Sequence, residues 1–269
     1  MTKKLLILSL IISIICMYII SMTPDTIIIS DDSKSLGIYQ KPEITLSDLR
    51  AKKILWNKDF PQKDINHQSL TATNADYIGW LSFHFNPDNK EYNIDIEEPV
   101  VLEQKYAPDF YLKHKFDKTP DKNGSIFMDY DSDSSLYGTN DFLYAHHATD
   151  GGLFGTLNHI YEFNDKNYFK THPLYMYIYT ETACHKYVMI GYEQIENSTN
   201  HYAYTFCEDM QMYYDYIDYL KSLQNYIPSD EIQWDTEPEL MNFSTCDGES
   251  GTTHRFVIHF AKIQAYALH

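Results

Sequence analysis

The stretch NFSTCDGESGTTHRFVIHFAKI, residues 242–263, joins two apolar runs through a polar turn. Cys246 ends the first run and Arg255 begins the second. The Gly, Ser and Thr residues between them are typical of a turn, so the stretch predicts two neighbouring strands. Because adjacent antiparallel strands lie about 4.8 Å apart, the arginine side chain can reach the thiol or an oxyanion beside it.

A thiol becomes a nucleophile when it loses its proton, and a nearby histidine or arginine favours the thiolate. The best candidate for a base is the segment YAHHATDGG, residues 144–152, in which His146 and His147 end a predicted strand. Successive strand residues point to opposite faces, so only one of the two histidines can face Cys246. Taken alone, a strand cysteine is more often a small buried hydrophobe than a nucleophile.

The composition restricts the possible partners and the redox chemistry. The chain has 269 residues, a formal net charge of −17 and 24 tyrosines. Tyrosine favours sheet, and the acidic balance argues against a nucleic-acid partner. The cysteines Cys16, Cys184, Cys207 and Cys246 form neither a CxxC pair nor a disulfide-rich spacing, so Cys184 and Cys207 either pair or remain buried thiols. Since no ligand pair has zinc-finger spacing, we predict no metal site.

The N-terminus predicts a membrane anchor. Lys3 and Lys4 precede an apolar run over residues 5–22, and about 18–20 apolar residues span a bilayer as a helix. Residues 21–25 contain no small-residue cleavage site, which favours an uncleaved anchor over a signal peptide. By the positive-inside rule the rest of the chain faces outward. We therefore predict an anchor at 1–23, a linker at 24–44 and an exported domain at 45–269.

Apolar periodicity predicts a sheet-rich domain with few helices. Helical spacing occurs over 45–56, 153–161 and 210–220. Nine apolar runs indicate roughly eight strands; they lie within 74–83, 97–104, 123–130, 141–147, 174–180, 186–195, 202–206, 238–246 and 255–263. Most of the connections are too short for helical crossovers, so we expect antiparallel closure into a barrel, which removes the exposed sheet edges.

Five segments in the same order resemble the class B sortases, the membrane-anchored cysteine transpeptidases of Gram-positive cell envelopes. NADYIGWLSF is similar to the family's Asn-x-Asp-x-x-Gly-Trp segment, and EPVVLEQKYAPDFYL is similar to its Tyr-Pro-Val-Val…Tyr-Leu segment. NGSIFMDY resembles the Gly-Ser-Ile-Phe-Met-Asp strand, and YAHHATDGGLFGTL resembles the catalytic histidine segment. FSTC followed by HRFVIHFAKI resembles the Leu-x-Thr-Cys…Arg terminus. Each motif is weak alone, but their shared order is specific.

The resemblance implies a mainly β fold, an eight-stranded sortase-type closed β-barrel with N-terminal helices. The family's long helix before the last two strands corresponds to residues 208–226. The resemblance assigns catalysis to His146, Cys246 and Arg255, and it places Leu112 and Ser244 along the peptide groove. It implies no metal or organic cofactor.

The implied activity is that of a membrane-anchored transpeptidase whose catalytic domain lies outside the cell. Such an enzyme cleaves a sorting-signal peptide through a cysteine thioester and transfers it to an amine of peptidoglycan or of a surface protein. Ala145, Phe243, Glu98 and Pro108 depart from the family pattern, which bears on substrate choice more than on activity. The alternatives are an exported cysteine hydrolase and a non-catalytic β-barrel binding module.

Overall fold

Eight strands dominate the described part of the chain. The computed structural model describes residues 60–196, 207, 209–246 and 254–268. The strands are β1 (Tyr77–Phe85), β2 (Ile94–Leu102), β3 (Ile126–Met128), β4 (Asn140–Tyr144), β5 (Tyr175–Tyr179), β6 (Ala183–Glu196), β7 (Leu240–Cys246) and β8 (His254–Ala267). The predicted strand at 202–206, the helix at 45–56, the anchor at 1–23 and the linker at 24–44 lie outside the described residues.

Among the described residues, four helices accompany the strands. They are α1 (His67–Thr73), α2 (His159–Phe163), α3 (Lys166–Thr171) and α4 (Met210–Ser222), with single 3₁₀ turns at Lys90–Tyr92 and Trp234–Thr236. Within the part of the chain that the structure describes, none of the helices has the length and apolar character needed to cross a membrane.

The helix predicted over 153–161 begins only at His159, so the prediction was wrong for its first half. Residues 153–158 form turns, and Leu153 has a positive φ of 50°. Gly155 lies so close to the preceding segment that a Cβ there would be 2.2 Å from the Ala148 carbonyl oxygen. This packing against residues 144–152 replaces the regular helix that the apolar spacing favoured.

The sheet closes in the order β1-β2-β3-β4-β7-β8-β6-β5, and β5 pairs again with β1. A closed, eight-stranded, mainly β barrel is therefore confirmed. The expectation of antiparallel closure was incomplete, because β2 pairs with β3 in parallel and β4 pairs with β7 in parallel. The segment 103–125, here called the β2–β3 connection, is long enough to carry the chain back for a parallel pairing.

Aromatic side chains fill the barrel interior. Phe243 on β7 is fully buried and stacks on Phe154, with ring centroids 4.9 Å apart. It also meets Phe260 on β8 at 4.7 Å and Phe83 on β1 at 5.8 Å. One side chain of β7 thus touches three separate parts of the barrel.

Helix α4 covers the outer face of the sheet. Asp209 caps it by accepting a hydrogen bond from the Met212 amide at 2.8 Å. The helix buries a stripe at helical spacing that packs against residues of β6, β7 and β8: Tyr213, Tyr216, Ile217 and Leu220. The predicted helix at 210–220 is confirmed, although Tyr214, which we placed on the stripe, is 44% exposed.

Cys184 and Cys207 are both free and buried. Of the two predicted alternatives, a disulfide pair or two buried thiols, the second is therefore confirmed. Cys184 packs with Tyr179 and Tyr266, whereas Cys207 belongs to the cluster beneath α4. Burial raises the pKa of Cys184 to about 12 and that of Cys207 to about 11. Because the thiolate is the reactive form, both cysteines are poor nucleophiles at neutral pH.

We expect Phe243→Ala to lower the free energy of unfolding by about 3–5 kcal/mol, since it empties a ring-sized space among three aromatic partners. Urea unfolding followed by circular dichroism measures the change. Tyr106→Ala is the matched control, because Tyr106 is 96% exposed and such surface changes stay within about 0.5 kcal/mol. Equal stability of the two variants would contradict the packing role of Phe243.

Candidate active site

The hairpin predicted from residues 242–263 is present. Strands β7 and β8 are antiparallel, and their register sets Cys246 directly opposite Arg255. The polar turn between them, residues 247–253, lies outside the described residues. The backbone therefore brings together the two positions that the sequence selected for a thiol and a guanidinium.

Strand β4 brings the histidine segment to the same end of the barrel. It pairs in parallel with β7, so that Tyr144 lies opposite Ser244. The Thr245 hydroxyl donates to the Ala145 carbonyl at 2.9 Å, which holds the chain beside β7 for one more residue. The strand ends at Tyr144, earlier than predicted, so both histidines follow the strand.

A pocket of about 360 Å³ lies over this end of β4 and β7 and is called the candidate pocket below. Four of the five predicted site residues line it: Leu112, His146, Ser244 and Arg255. The fifth, Cys246, follows the lining residue Thr245 and is paired with Arg255. The other lining residues are Glu103, Pro108, Asp109, Phe127, Asp129, Tyr130, Tyr144 and Ala145.

The two histidines have different surroundings. His146 lines the candidate pocket, and its Nε2 is 2.9 Å from the Leu112 carbonyl oxygen. Since a carbonyl oxygen can only accept, Nε2 carries the hydrogen. In the neutral ring, Nδ1 is then the nitrogen with a lone pair. His147 is not one of the described residues that line the pocket. It forms an isolated β-bridge with Leu153 instead.

The Leu112 carbonyl is presented by the β2–β3 connection. Tyr111, its neighbour, is fully buried. The Tyr111 hydroxyl donates to Asp76 Oδ2 at 2.6 Å and accepts from Asn74 Nδ2 at 2.8 Å. We did not select Asn74, Asp76 or Tyr111 as site residues, although all three lie in the quoted motifs.

The wall formed by the β2–β3 connection and the end of β3 is acidic. Glu103 and Asp129 both line the pocket, and Glu103 is only 5% exposed. Burial raises the pKa of both carboxyls, although backbone hydrogen bonds partly oppose this shift. Glu103 accepts from the amides of Gln104 at 2.8 Å and Tyr111 at 3.4 Å. Sequence reasoning missed these carboxyls, because no chemical pattern singled them out.

The pocket lining combines a fixed cation, a titratable ring and apolar side chains. A guanidinium and an imidazole lie on its lining, with Leu112 beside them as an apolar contact. Across the described ranges, no group of three or more His, Cys, Asp or Glu side chains is arranged to hold a metal ion.

Known proteins with related sequences are sortases. The chain is 25% identical over 204 residues to sortase B of Listeria monocytogenes, covering 73% of this chain and 76% of the relative. It is 26% identical over 193 residues to sortase B of Staphylococcus aureus, covering 71% and 72% of the two chains. No protein-family model matches the chain.

A solved structure carries the same fold. The Staphylococcus aureus sortase B–substrate complex superposes with a TM-score of 0.56 at 23% identity, covering 74% of this chain and 84% of that one. The sequence similarity and the barrel topology agree with the five motifs that pointed to this family. The chain is therefore similar in sequence to two sortase B proteins and shares the fold of a solved sortase B.

Proposed function

We propose that this chain is a membrane-anchored cysteine transpeptidase that cleaves a sorting-signal peptide and transfers it to an amine. The observation that carries the proposal is the shared pocket of His146 and Arg255, with Arg255 paired to Cys246 across the β7–β8 hairpin. The similarity to two curated sortase B proteins supports the same activity.

In the proposed reaction the Cys246 thiol passes its proton to His146, and the resulting thiolate adds to a peptide carbonyl carbon. The carbonyl oxygen becomes an oxyanion, and Arg255 donates hydrogen bonds to it. His146 then gives a proton to the amide nitrogen, the carbon–nitrogen bond breaks, and a thioester remains on Cys246. An incoming amine attacks the thioester and gives its proton back to His146, which releases the joined product.

The proposed donor is the sorting-signal peptide of a surface protein, with Leu112 and Ser244 contacting the bound segment. A substrate complex exists for the Staphylococcus aureus sortase B, which supports a peptide groove here. The proposed acceptor is an amine of peptidoglycan or of another protein. Residues 1–23 would anchor the enzyme in the cell membrane, with the catalytic domain outside the cell. The proposed chemistry uses no metal or organic cofactor.

A peptide-library cleavage assay with an amine acceptor tests the proposal. With the amine present, we expect an amide product joined to it. With the amine absent, turnover should slow, or the acyl group should pass to water. Release of free acid at the same rate in both cases would favour a cysteine hydrolase, and failure to cleave any peptide would favour a non-catalytic binding module.

Cys246→Ala should abolish cleavage and thioester formation, because it removes the proposed nucleophile. Mass spectrometry of the protein–peptide mixture measures the acyl-enzyme directly. Cys184→Ala is the matched control and should keep its activity, since its own thiol is buried with a raised pKa. Wild-type cleavage by the Cys246 variant would exclude this residue as the nucleophile.

His146→Ala should lower kcat by about 10²–10⁴-fold, the usual contribution of general acid–base catalysis. His147→Ala is the neighbouring control and should have a much smaller effect, because the described pocket lining includes His146 but not His147. Steady-state kinetics of both purified variants gives the ranking. The reverse ranking would assign the proton transfer to His147.

Arg255→Lys should lose about 10²–10³ in rate, although it keeps the positive charge. A guanidinium presents donors in a rigid planar fork, whereas an ammonium is a flexible point charge, and loss of one oxyanion donor has this size. Peptide turnover measures the effect, with circular dichroism as the check on folding. Full activity of the lysine variant would leave charge alone as the role of Arg255.

A further inference from the structure

We infer that Tyr111 and Asp76 are positioning residues, which hold the Leu112 carbonyl against His146 and thereby fix the tautomer of the imidazole. The inference rests on the proposed function, in which His146 transfers protons. Neither residue lines the candidate pocket, so both would act through Leu112.

The first link is the hydrogen bond from His146 Nε2 to the Leu112 carbonyl. It keeps the hydrogen on Nε2 and leaves Nδ1 as the proton-accepting nitrogen of the neutral ring. Without a partner, an imidazole can exchange its tautomers and rotate about a broad torsional minimum. A carbonyl at a fixed place therefore decides which nitrogen faces a substrate.

The second link is the Tyr111 side chain, which anchors the peptide that carries this carbonyl. Its ring is buried with Val101 and Phe127 in a small cluster beneath the β2–β3 connection. Its hydroxyl bonds to both Asp76 and Asn74. A tyrosine that is held at both its ring and its hydroxyl leaves little freedom to the adjoining Leu112 peptide.

The third link ties Asp76 to the barrel. The Asp76 carbonyl accepts from the Leu102 amide at 2.8 Å, at the end of β2. Its carboxylate also accepts from Gln104 at 2.7 Å and Lys118 at 2.9 Å. Burial acts to raise the pKa of Asp76, but these hydrogen bonds outweigh it and the pKa is lowered. The carboxylate is thus ionised and bonds to Gln104 at the start of the connection and to Tyr111 and Lys118 within it.

Gly124 packs against the backbone of Tyr111 and Leu112. Its φ is +66°, and a Cβ there would lie 2.3 Å from the Tyr111 carbonyl oxygen and 2.8 Å from that of Leu112. The Ser125 amide donates to the Tyr111 carbonyl at 2.9 Å. The Leu112 peptide is therefore packed between a bare glycine backbone and the His146 ring, where a small shift would alter the hydrogen bond.

Tyr111→Phe in the full-length protein tests this inference, because it removes the hydroxyl and keeps the ring. Nitrogen-15 NMR of the imidazoles reports the His146 tautomer, with the signal assigned by comparison with His146→Ala. The wild type should show hydrogen on Nε2, whereas the variant should show a mixture of the two tautomers. We expect kcat to fall about 10–100-fold with KM changed less than about twofold, since misplacing a reacting group by 1 Å can cost about 10²-fold.

Tyr213→Phe is the matched control. Tyr213 is also buried, and its hydroxyl donates to the Pro238 carbonyl at 2.7 Å, beneath α4. The control should lose comparable stability but keep both the tautomer and kcat. If Tyr111→Phe does not fold, Asp76→Asn removes the charge at nearly constant shape and should shift the tautomer in the same direction.

An unchanged His146 tautomer in Tyr111→Phe, or an equal loss of kcat in the Tyr213 control, would overturn the inference. The NMR result is independent of turnover, so it separates this inference from the proposed function. A tautomer shift in a protein that joins no peptide to an amine would support the positioning role and refute the transpeptidase.

Discussion

The buried amide of Asn242 fixes the register of the strands on which the candidate site depends. Its nitrogen donates to Asn140 Oδ1 at 2.6 Å on β4, and its oxygen bonds to His259 Nδ1 at 2.7 Å on β8. Asn242 and His259 are direct partners across the hairpin. Four residues later on β7 and four residues earlier on β8, the same register pairs Cys246 with Arg255. A slip of one residue would turn every side chain to the opposite face and leave these buried polar groups without hydrogen-bond partners. Each unsatisfied group would cost about 1–3 kcal/mol of folding free energy.

Local pattern was sufficient for much of the fold. Alternating apolar residues and the turn at 247–253 identified the β7–β8 hairpin, and the stripe at Tyr213, Ile217 and Leu220 identified α4. The pairing and direction of the strands were harder to predict from the sequence. An alternating apolar pattern does not show which strand is the neighbour, or whether the two run parallel or antiparallel. The parallel pairing of β4 with β7 depends on Asn140 and Asn242, which are far apart in sequence.

Some residues of the candidate site could be predicted from the sequence, and others could not. His146, Arg255, Leu112 and Ser244 were selected through ordered motifs, and the structure brings all four to one pocket. Glu103 and Asp129 escaped selection, since an isolated acidic residue is usually a solvated surface group. Both lie on the pocket lining only in the folded chain, where Glu103 is buried and Asp129 is partly buried. The Tyr111–Asp76 contact was likewise invisible, because it joins two motifs that sequence comparison treats separately.

The order of strands in the barrel has a consequence for folding kinetics. The parallel β4–β7 ladder joins residues about 100 positions apart, since Asn140 pairs with Leu240, and β8 must then bridge β7 to β6. Contacts between residues so far apart in sequence form only after a long loop has closed. The chain loses the entropy of loop closure before it gains these contacts, which makes folding slow. The histidine segment and the hairpin meet only after this late closure. A nascent chain therefore cannot assemble the candidate pocket while β7 and β8 are still being synthesised, and the pocket forms only when the barrel closes.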